Sequence, residues 1–167
     1  MPHLPDLEQD FAENPTGSLV TIRCAPWSAG DRVVLVGDAC HAVVPFYGQG
    51  ANAAFEDCLV LDEGLGAHGA DMAAAFRAYE ARRKEHADAL ADLAVDNFLE
   101  MRDRVASPLF RGKKRLERFL HGILPGAFLP LYTMVSFTRI PYADARRRAR
   151  RQWRLVAVAC AMLMALM

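Results

Sequence analysis

The densest set of residues able to hold a ligand lies between Val33 and Leu61, in the run VVLVGDACHAVVPFYGQGANAAFEDCLVL. The apolar stretch Arg32 to Val36 reads as a strand buried on both faces, and it feeds Gly37-Asp38. Glycine lets another group approach the backbone closely, and a carboxylate at the C-terminal end of a strand stands where α/β folds bind ligands. Asp38 is thus placed to accept hydrogen bonds from hydroxyl groups, with a turn acid or helix cap as its alternative role. Pro45 fixes a turn, and Gly48-Gln49-Gly50 leaves bare backbone N–H groups of Gly50, Ala51 and Asn52 at the start of a helix. Such an end carries partial positive charge and suits an anion or a polarised carbonyl, although a plain helix cap needs no ligand. A hydroxyl acceptor and an anion platform together suit a cofactor that carries both a polyol and an electron-accepting ring.

Other candidate motifs are weaker. Gly64-Leu65-Gly66-Ala67-His68-Gly69 matches the dinucleotide fingerprint G-x-G-x-x-G, but that motif needs a strand before it and a helix opening from it. Here it follows a helix and reads as a glycine-rich loop between two helices. Cys40 beside His41 is a poor nucleophile pair, because adjacent side chains diverge and no third group orients them. The four cysteines, at 24, 40, 58 and 160, contain no Cys-x-x-Cys, and the five histidines have no metal-ligand spacing. Free thiols in a reducing compartment follow, and no metal site is predicted.

The elements that must position these residues are mostly helical. Ser18 to Cys24 alternates with a β-branched bias and predicts a first strand, Arg32 to Val36 a second. Helical spacing then predicts a helix from Gln49 or Gly50 to about Gly64 and a longer one from about Asp71 to Val105, stopped by Ser107-Pro108. A further helix is predicted over Pro108 to His121, Gly122, Pro125 and Pro130 break the chain before Leu131 to Ile140, and a last helix opens at Pro141. Two strands do not make a stable sheet without partners, so the chain reads as part of something larger.

Composition narrows the class. The 167 residues carry 20 Lys+Arg against 20 Asp+Glu, and 53% are hydrophobic, which fits a globular chain and argues against disorder or a whole-molecule basic field for nucleic acid. Twenty-eight residues are alanine, so the core is modest. Neutrality hides an asymmetry, since Arg139 to Arg154 holds seven arginines against Asp144. Thirteen apolar residues follow, Leu155 to Met167, fewer than the roughly 20 that cross a bilayer. The start of an anchor, an interfacial segment and a buried helix all remain open for this tail.

Taken together, Gly37-Asp38-Ala39-Cys40-His41, Pro45, Gly48-Gln49-Gly50-Ala51-Asn52 and Glu56-Asp57 resemble the second FAD-binding motif of the flavin-dependent aromatic hydroxylases. Pro15 to Leu19, Asn97 to Asp103, Leu131-Tyr132, Phe137-Thr138 and Ile140 to Ala143 extend the resemblance from about residue 10 to residue 152. Cys40, Ala51 and Ala54 depart from the family's usual Ala, Met and Gly, and are small or local changes. The resemblance implies a parent α/β fold of Rossmann-like, aromatic-hydroxylase type, of which this chain is a mostly α-helical C-terminal portion with about two short strands. It divides the chain into 1–66, part of the FAD-binding domain; 67–152, a helical region lining the substrate pocket; and 153–167, the apolar tail. The family's N-terminal features are missing from the sequence, namely the strand–GxGxxG–helix, a central Asp-Gly motif and the upstream Arg and Tyr that grip the substrate carboxylate.

The resemblance also implies FAD as cofactor, NADPH as reductant and O2 as oxidant, with a flavin C4a-hydroperoxide transferring oxygen to an electron-rich aniline ring. No side chain here is then a nucleophile, and the protein positions the ring and excludes water. Gly37, Asp38, Pro45, Gly48, Gly50, Ala51 and Asn52 would bind the cofactor, Asp38 through a ribityl hydroxyl and Gly50 to Asn52 through the flavin N1–C2=O edge. Phe46 would line the space between flavin and substrate, and Asn97, Met101 and Tyr132 would face the substrate's amino-acid end. Asn97 and Tyr132 read equally well as satisfied core polar groups, and Phe46 as a core anchor. Glu56, Asp57 and His41 read as fold-holding. A different phenol or aniline substrate, or a non-catalytic helical remnant associated with a membrane through Leu155–Met167, are the alternatives. The expected location is the cytoplasm, or the mitochondrial outer membrane in a eukaryote.

Overall fold

The computed structural model describes residues 5–166, and so all but the last residue of the apolar tail. In chain order it contains α1 (Leu7–Glu13), β1 (Ser28–Ala29), β2 (Val33–Val34), α2 (Asp38–His41), a 3-10 turn (Pro45–Tyr47), α3 (Gly50–His68), α4 (Met72–Leu99), α5 (Pro108–Ile123), α6 (Leu131–Phe137) and α7 (Tyr142–Ala165). The mostly helical architecture with two short strands agrees with the sequence. The one sheet among the described residues is an antiparallel pair with Ser28 opposite Val34 and Ala29 opposite Val33.

Both strand expectations are corrected. Ser18 to Cys24 is extended but unpaired as a strand; the Ile22 N–H reaches the Ala42 carbonyl at 2.8 Å, and Leu19 and Val20 stand exposed. Alternating β-branched residues favour a pleated, half-buried surface, and no neighbouring ladder supplies one. Only Val33–Val34 of the second run pairs, and Val33 is 53% exposed rather than buried on both faces. Gly30, at φ 62°, makes the turn between the two strands.

The helices begin where capping chemistry places them. Asp71 accepts the Ala74 N–H at 2.9 Å and Ser107 the Phe110 N–H at 3.5 Å, while Pro141 precedes α7. Their ends differ from the sequence reading. α4 gives way at Glu100 to a π-helical turn through Arg104, and α6 stops at Phe137 because the Thr138 hydroxyl caps it, donating to the Met134 carbonyl and accepting the Ile140 N–H. α3 runs past Gly64 to His68, so Gly64 and Gly66 are helical and the expected glycine loop shrinks to the turn at Gly69, φ 57°. Gly64 serves packing instead. A Cβ there would stand 3.3 Å from the Ala75 carbonyl oxygen of α4.

That close approach makes α3 and α4 the spine, and the alanines facing it, Ala53 on α3 with Ala75, Ala87, Ala91 and Ala94 on α4, are buried. One core group joins the spine to α6 and α7 through Leu90, Leu93, Met134 and Tyr142; the other seats Trp27, Cys40 and Tyr79 beneath the hairpin. Asp92 of α4 fastens both ends of the chain, bonding Arg23 at 2.5 Å and also Arg146 of α7. α5 is turned about: Glu117 faces inward while Leu109, Phe119 and Ile123 are exposed. Beyond Arg154, α7 leaves Leu155, Val158 and Met162 exposed, and among the described residues no helix is long and apolar enough to cross a membrane.

Candidate functional site

Gly37 adopts φ 61°, ψ −136°, and a Cβ on it would meet the Ala54 Cβ of α3 at 3.2 Å. Both facts require glycine, since L side chains avoid this backbone region and the neighbouring helix occupies the space. The bend sets Asp38 at the first position of α2 with its side chain exposed. What holds the bend is Asp57, fully buried on α3, whose Oδ2 accepts the Gly37 N–H at 3.1 Å and also pairs with His41 Nε2. Its Oδ1 accepts Arg83 Nε of α4 at 2.7 Å. Arg83 continues to Glu56 at 2.5 Å and to the Ala53 carbonyl at 3.1 Å, so one guanidinium ties α4 to α3 over a full turn. Burial pushes the Asp57 carboxyl up, but hydrogen bonds from His41 and Arg83 outweigh it and hold the group below the usual carboxylate range.

Cys40, His41 and Asp57 bring a thiol, an imidazole and a carboxylate within 4.8 Å, a set of metal-ligand types. Their lone pairs and protons are already committed. The Asp57 oxygens serve Gly37, His41 and Arg83, and Cys40 Sγ donates to the Gly37 carbonyl at 3.2 Å. Burial, with Asp57 nearby, pushes the Cys40 thiol up to about 11, which removes it as a nucleophile at neutral pH.

Beyond α2, Pro45 opens the 3-10 turn, and Gly48 at φ 67° reverses the chain into α3. The first helical bond of α3 runs from the Ala53 N–H to the Gln49 carbonyl, and no side chain caps the helix. Among the described residues the N–H groups of Gly50, Ala51 and Asn52 therefore have no acceptor, and Ala51 and Asn52 are exposed. The Asn52 amide instead donates to the Gln49 side chain at 2.9 Å, which holds the turn. Because Gly37 packs close to Ala54, one turn along the same helix, the bend that carries the exposed Asp38 lies beside the helix that carries these open donors. The set fits a flavin nucleotide: a carboxylate for hydroxyl groups and uncapped donors for the ring's N1–C2=O edge, whose nitrogen and oxygen accept hydrogen bonds.

Among the residues expected at the substrate, Asn97 and Tyr132 meet in one pocket of about 240 Å³, together with Tyr47, Glu100 and Lys114. Asn97 Nδ2 donates to the Phe46 carbonyl at 2.7 Å, so α4 grips the loop that leads into α3. Phe46 packs its ring on Phe98, centroids 4.5 Å apart, and Tyr47 packs on Tyr132 at 5.8 Å. Met101 lies 3.7 Å from Asn97 Nδ2 through its sulfur and is 57% exposed, outside the pocket lining. Sequence reasoning missed Tyr47, whose signal was its place beside Phe46, and Glu100 and Lys114, which nothing local distinguishes from other surface charges.

A family model described as an FAD binding domain matches residues 4–94, which include the whole of the Gly37–Asn52 surface. The chain belongs to the FAD-binding-domain family. Within the aromatic hydroxylases, the segment PFYGQGANAAFEDCLVLDE most resembles kynurenine 3-monooxygenase, and curated relatives of that name agree. The Salinispora arenicola kynurenine 3-monooxygenase is 56% identical over 153 residues, 92% of this chain and 34% of the relative. The Myxococcus xanthus protein of the same name is 50% identical over 139 residues, 83% of this chain and 30% of its own length. That of Flavobacterium johnsoniae is 46% identical over 142 residues, 85% and 32% respectively. The chain of this FAD-binding family member thus spans about a third of the length of the curated relatives it matches, and the matched part extends beyond the family model into the helices that carry Asn97 and Tyr132.

Proposed function

We propose that the chain supplies half of the flavin site and one wall of the substrate pocket of an FAD-dependent aromatic monooxygenase, which hydroxylates L-kynurenine to 3-hydroxykynurenine with NADPH and O2. The observation that carries this reading is the bond from Asn97 to the Phe46 carbonyl, because it joins the loop entering the flavin surface to a pocket lined by Tyr47 and Tyr132. Bound FAD supplies the activation of O2, with NADPH as electron source. Asp38 would hold a ribityl hydroxyl, and the N–H groups of Gly50, Ala51 and Asn52 would hold the ring's N1–C2=O edge and favour negative charge there. Pro45 and Phe46 would close the space between ring and substrate, while Asn97 and Tyr132 would orient the amino-acid end, with Met101 reaching that pocket only through its contact with Asn97. The pocket is lined by both signs of charge, with Glu100 and Lys114 paired at 3.6 Å in its wall. The part of the relatives outside the matched region provides the dinucleotide-binding unit. A cytoplasmic location accords with four free cysteines, and the apolar end of α7 packs on another part of the enzyme or on a membrane surface.

The test is to purify the chain alone and co-expressed with the part of the Salinispora arenicola relative that lies outside the matched region. Flavin absorbance and kynurenine-dependent NADPH oxidation, with 3-hydroxykynurenine as product, are expected in the co-expressed sample. A folded, colourless complex would overturn the flavin reading, and a yellow complex that hydroxylates another ring but not kynurenine would overturn the substrate.

A further inference from the structure

Outside the flavin surface and its pocket, a cleft of about 500 Å³ separates α5 from α7, a volume that accommodates a small organic ligand. One stripe of α7 lines it with Arg146, Arg150, Trp153 and Arg154, and Lys113 and Lys114 face them from α5. Two of these cations are already matched: Lys114 lies 3.6 Å from Glu100 and 3.5 Å from Glu117, and Arg146 pairs with Asp92. Lys113, Arg150 and Arg154 have no carboxylate partner among the described residues. Asp96 also lines the cleft without a cation partner among the described residues and offsets one of the three, so positive charge stays in excess and favours an anion.

The aromatic group at their centre is equally specific. The Lys113 ammonium stands 5.0 Å from the centre of the Trp153 ring, and Phe128 packs edge-on against the same ring at 5.7 Å and 89°. Trp153 is therefore held in place while remaining half-buried at the cleft wall, and Leu93, Leu131 and Ala149 give the cleft an apolar floor. Leu93, Glu100, Lys114 and Leu131 also line the pocket of Asn97 and Tyr132, so the two spaces share a wall.

We propose that the cleft between α5 and α7 binds a planar organic anion, with Arg150 and Arg154 taking its carboxylate or phosphate and Trp153 its ring. Guanidinium groups pair with either oxyanion, and the ring face accepts a flat partner. The site stands apart from the flavin surface and does not depend on the function proposed above.

The experiment titrates the full chain and follows tryptophan emission, with 2′,5′-ADP as the phosphate-bearing probe and benzoate as the carboxylate-bearing one. Saturable change with either probe supports the site and identifies its anion class. Trp153→Phe should abolish the change, because Trp27 is buried in the other core group. Arg150→Gln and Arg154→Gln should each weaken binding about three- to fivefold, and added salt should weaken it further. Arg151→Gln, exposed on α7 but outside the cleft, should leave affinity unchanged, and far-UV circular dichroism checks that every variant folds. No saturation by millimolar probe, an unchanged affinity in both arginine variants, or equal competition by inorganic phosphate alone would each overturn the proposal.

Discussion

Asp57 accepts the backbone N–H of Gly37 across 20 residues of sequence, and so a carboxylate on α3 shapes the bend that presents Asp38. The same carboxylate is the counter-charge of Arg83, itself buried on α4. Fold and candidate cofactor surface therefore depend on one fully buried acid. Asp57→Ala leaves the Arg83 guanidinium without its buried partner, a change that costs about 3–5 kcal/mol. An unfolding free energy from urea titration reduced by that amount is expected, and a loss below about 1 kcal/mol would show that water or Glu56 compensates.

The same network sets a pH dependence. The folded Asp57 and Asp92 carboxyls both lie below the ordinary range: burial raises each, but hydrogen bonds from His41 and Arg83, and from Arg23 and Arg146, outweigh it. A depressed folded value means that the contribution to stability is complete above the unfolded carboxylate value, about 3.9, and is lost as pH falls through the lower folded one. Thermal unfolding followed from neutral pH down through and below the ordinary carboxylate range should show a steep loss on the acid side. Asp57→Asn should flatten that slope; an unaltered slope would assign the acid sensitivity to other groups.

Gly37 and Gly48 both have positive φ, but they should respond differently to alanine. Gly48, at φ 67° and ψ 25°, lies in the left-handed region with open space around it, so Gly48→Ala costs about 1–2 kcal/mol. Gly37, at ψ −136°, lies where non-glycine residues are rarely found and meets Ala54, so Gly37→Ala carries backbone strain of about 1–3 kcal/mol plus the contact. Calorimetry of the two variants should rank Gly37→Ala as the more destabilised, and the reverse order would place the controlling strain at the second turn.

How much of this was legible in the sequence follows from the range of the interactions. Helix starts were legible because capping is local: Asp71, Ser107 and Pro141 each act within three residues. The surface from Gly37 to Asn52 was legible for the same reason, since its turn residues and helix start are contiguous. Ser18 to Cys24 misled because a strand is made by its neighbour, and the sequence pattern records only its willingness to pair. Gly64 misled because its role is the 3.3 Å approach to Ala75, a fact of helix packing, while its local signal is that of a breaker. The Arg83 hub was invisible for a similar reason: three of its partners lie 26 to 30 residues away on another helix.

Asp38 separates binding from folding. Its side chain is exposed and has no hydrogen-bond partner among the described residues, so Asp38→Ala should change the unfolding free energy by less than about 0.5 kcal/mol. In the co-expressed enzyme it should nevertheless lower flavin content after desalting, since a hydrogen bond to a charged group is worth about 1.5–3 kcal/mol. Undiminished flavin would remove Asp38 from the site.

Asn97 has two jobs that two substitutions can divide. Asn97→Ala loses both the bond to the Phe46 carbonyl and the amide facing the pocket, whereas Tyr132→Phe removes only a hydroxyl from a ring that still packs on Tyr47 and, at 6.0 Å, on Phe137. In the co-expressed enzyme Tyr132→Phe should raise KM for kynurenine about fivefold to tenfold with kcat nearly unchanged, the mark of lost ground-state binding. Asn97→Ala should raise KM and also lower kcat, because the freed loop carries Pro45 and Phe46 away from the reacting geometry, and small misplacements there cost large factors in rate. Flavin should be retained in both, since neither side chain itself lies on the Gly37–Asn52 surface and the loop freed by Asn97→Ala leaves Asp38 and the start of α3 in place. Equal kinetic effects from the two substitutions would mean that the Phe46 carbonyl needs no tether, and the contact would then be one of packing alone.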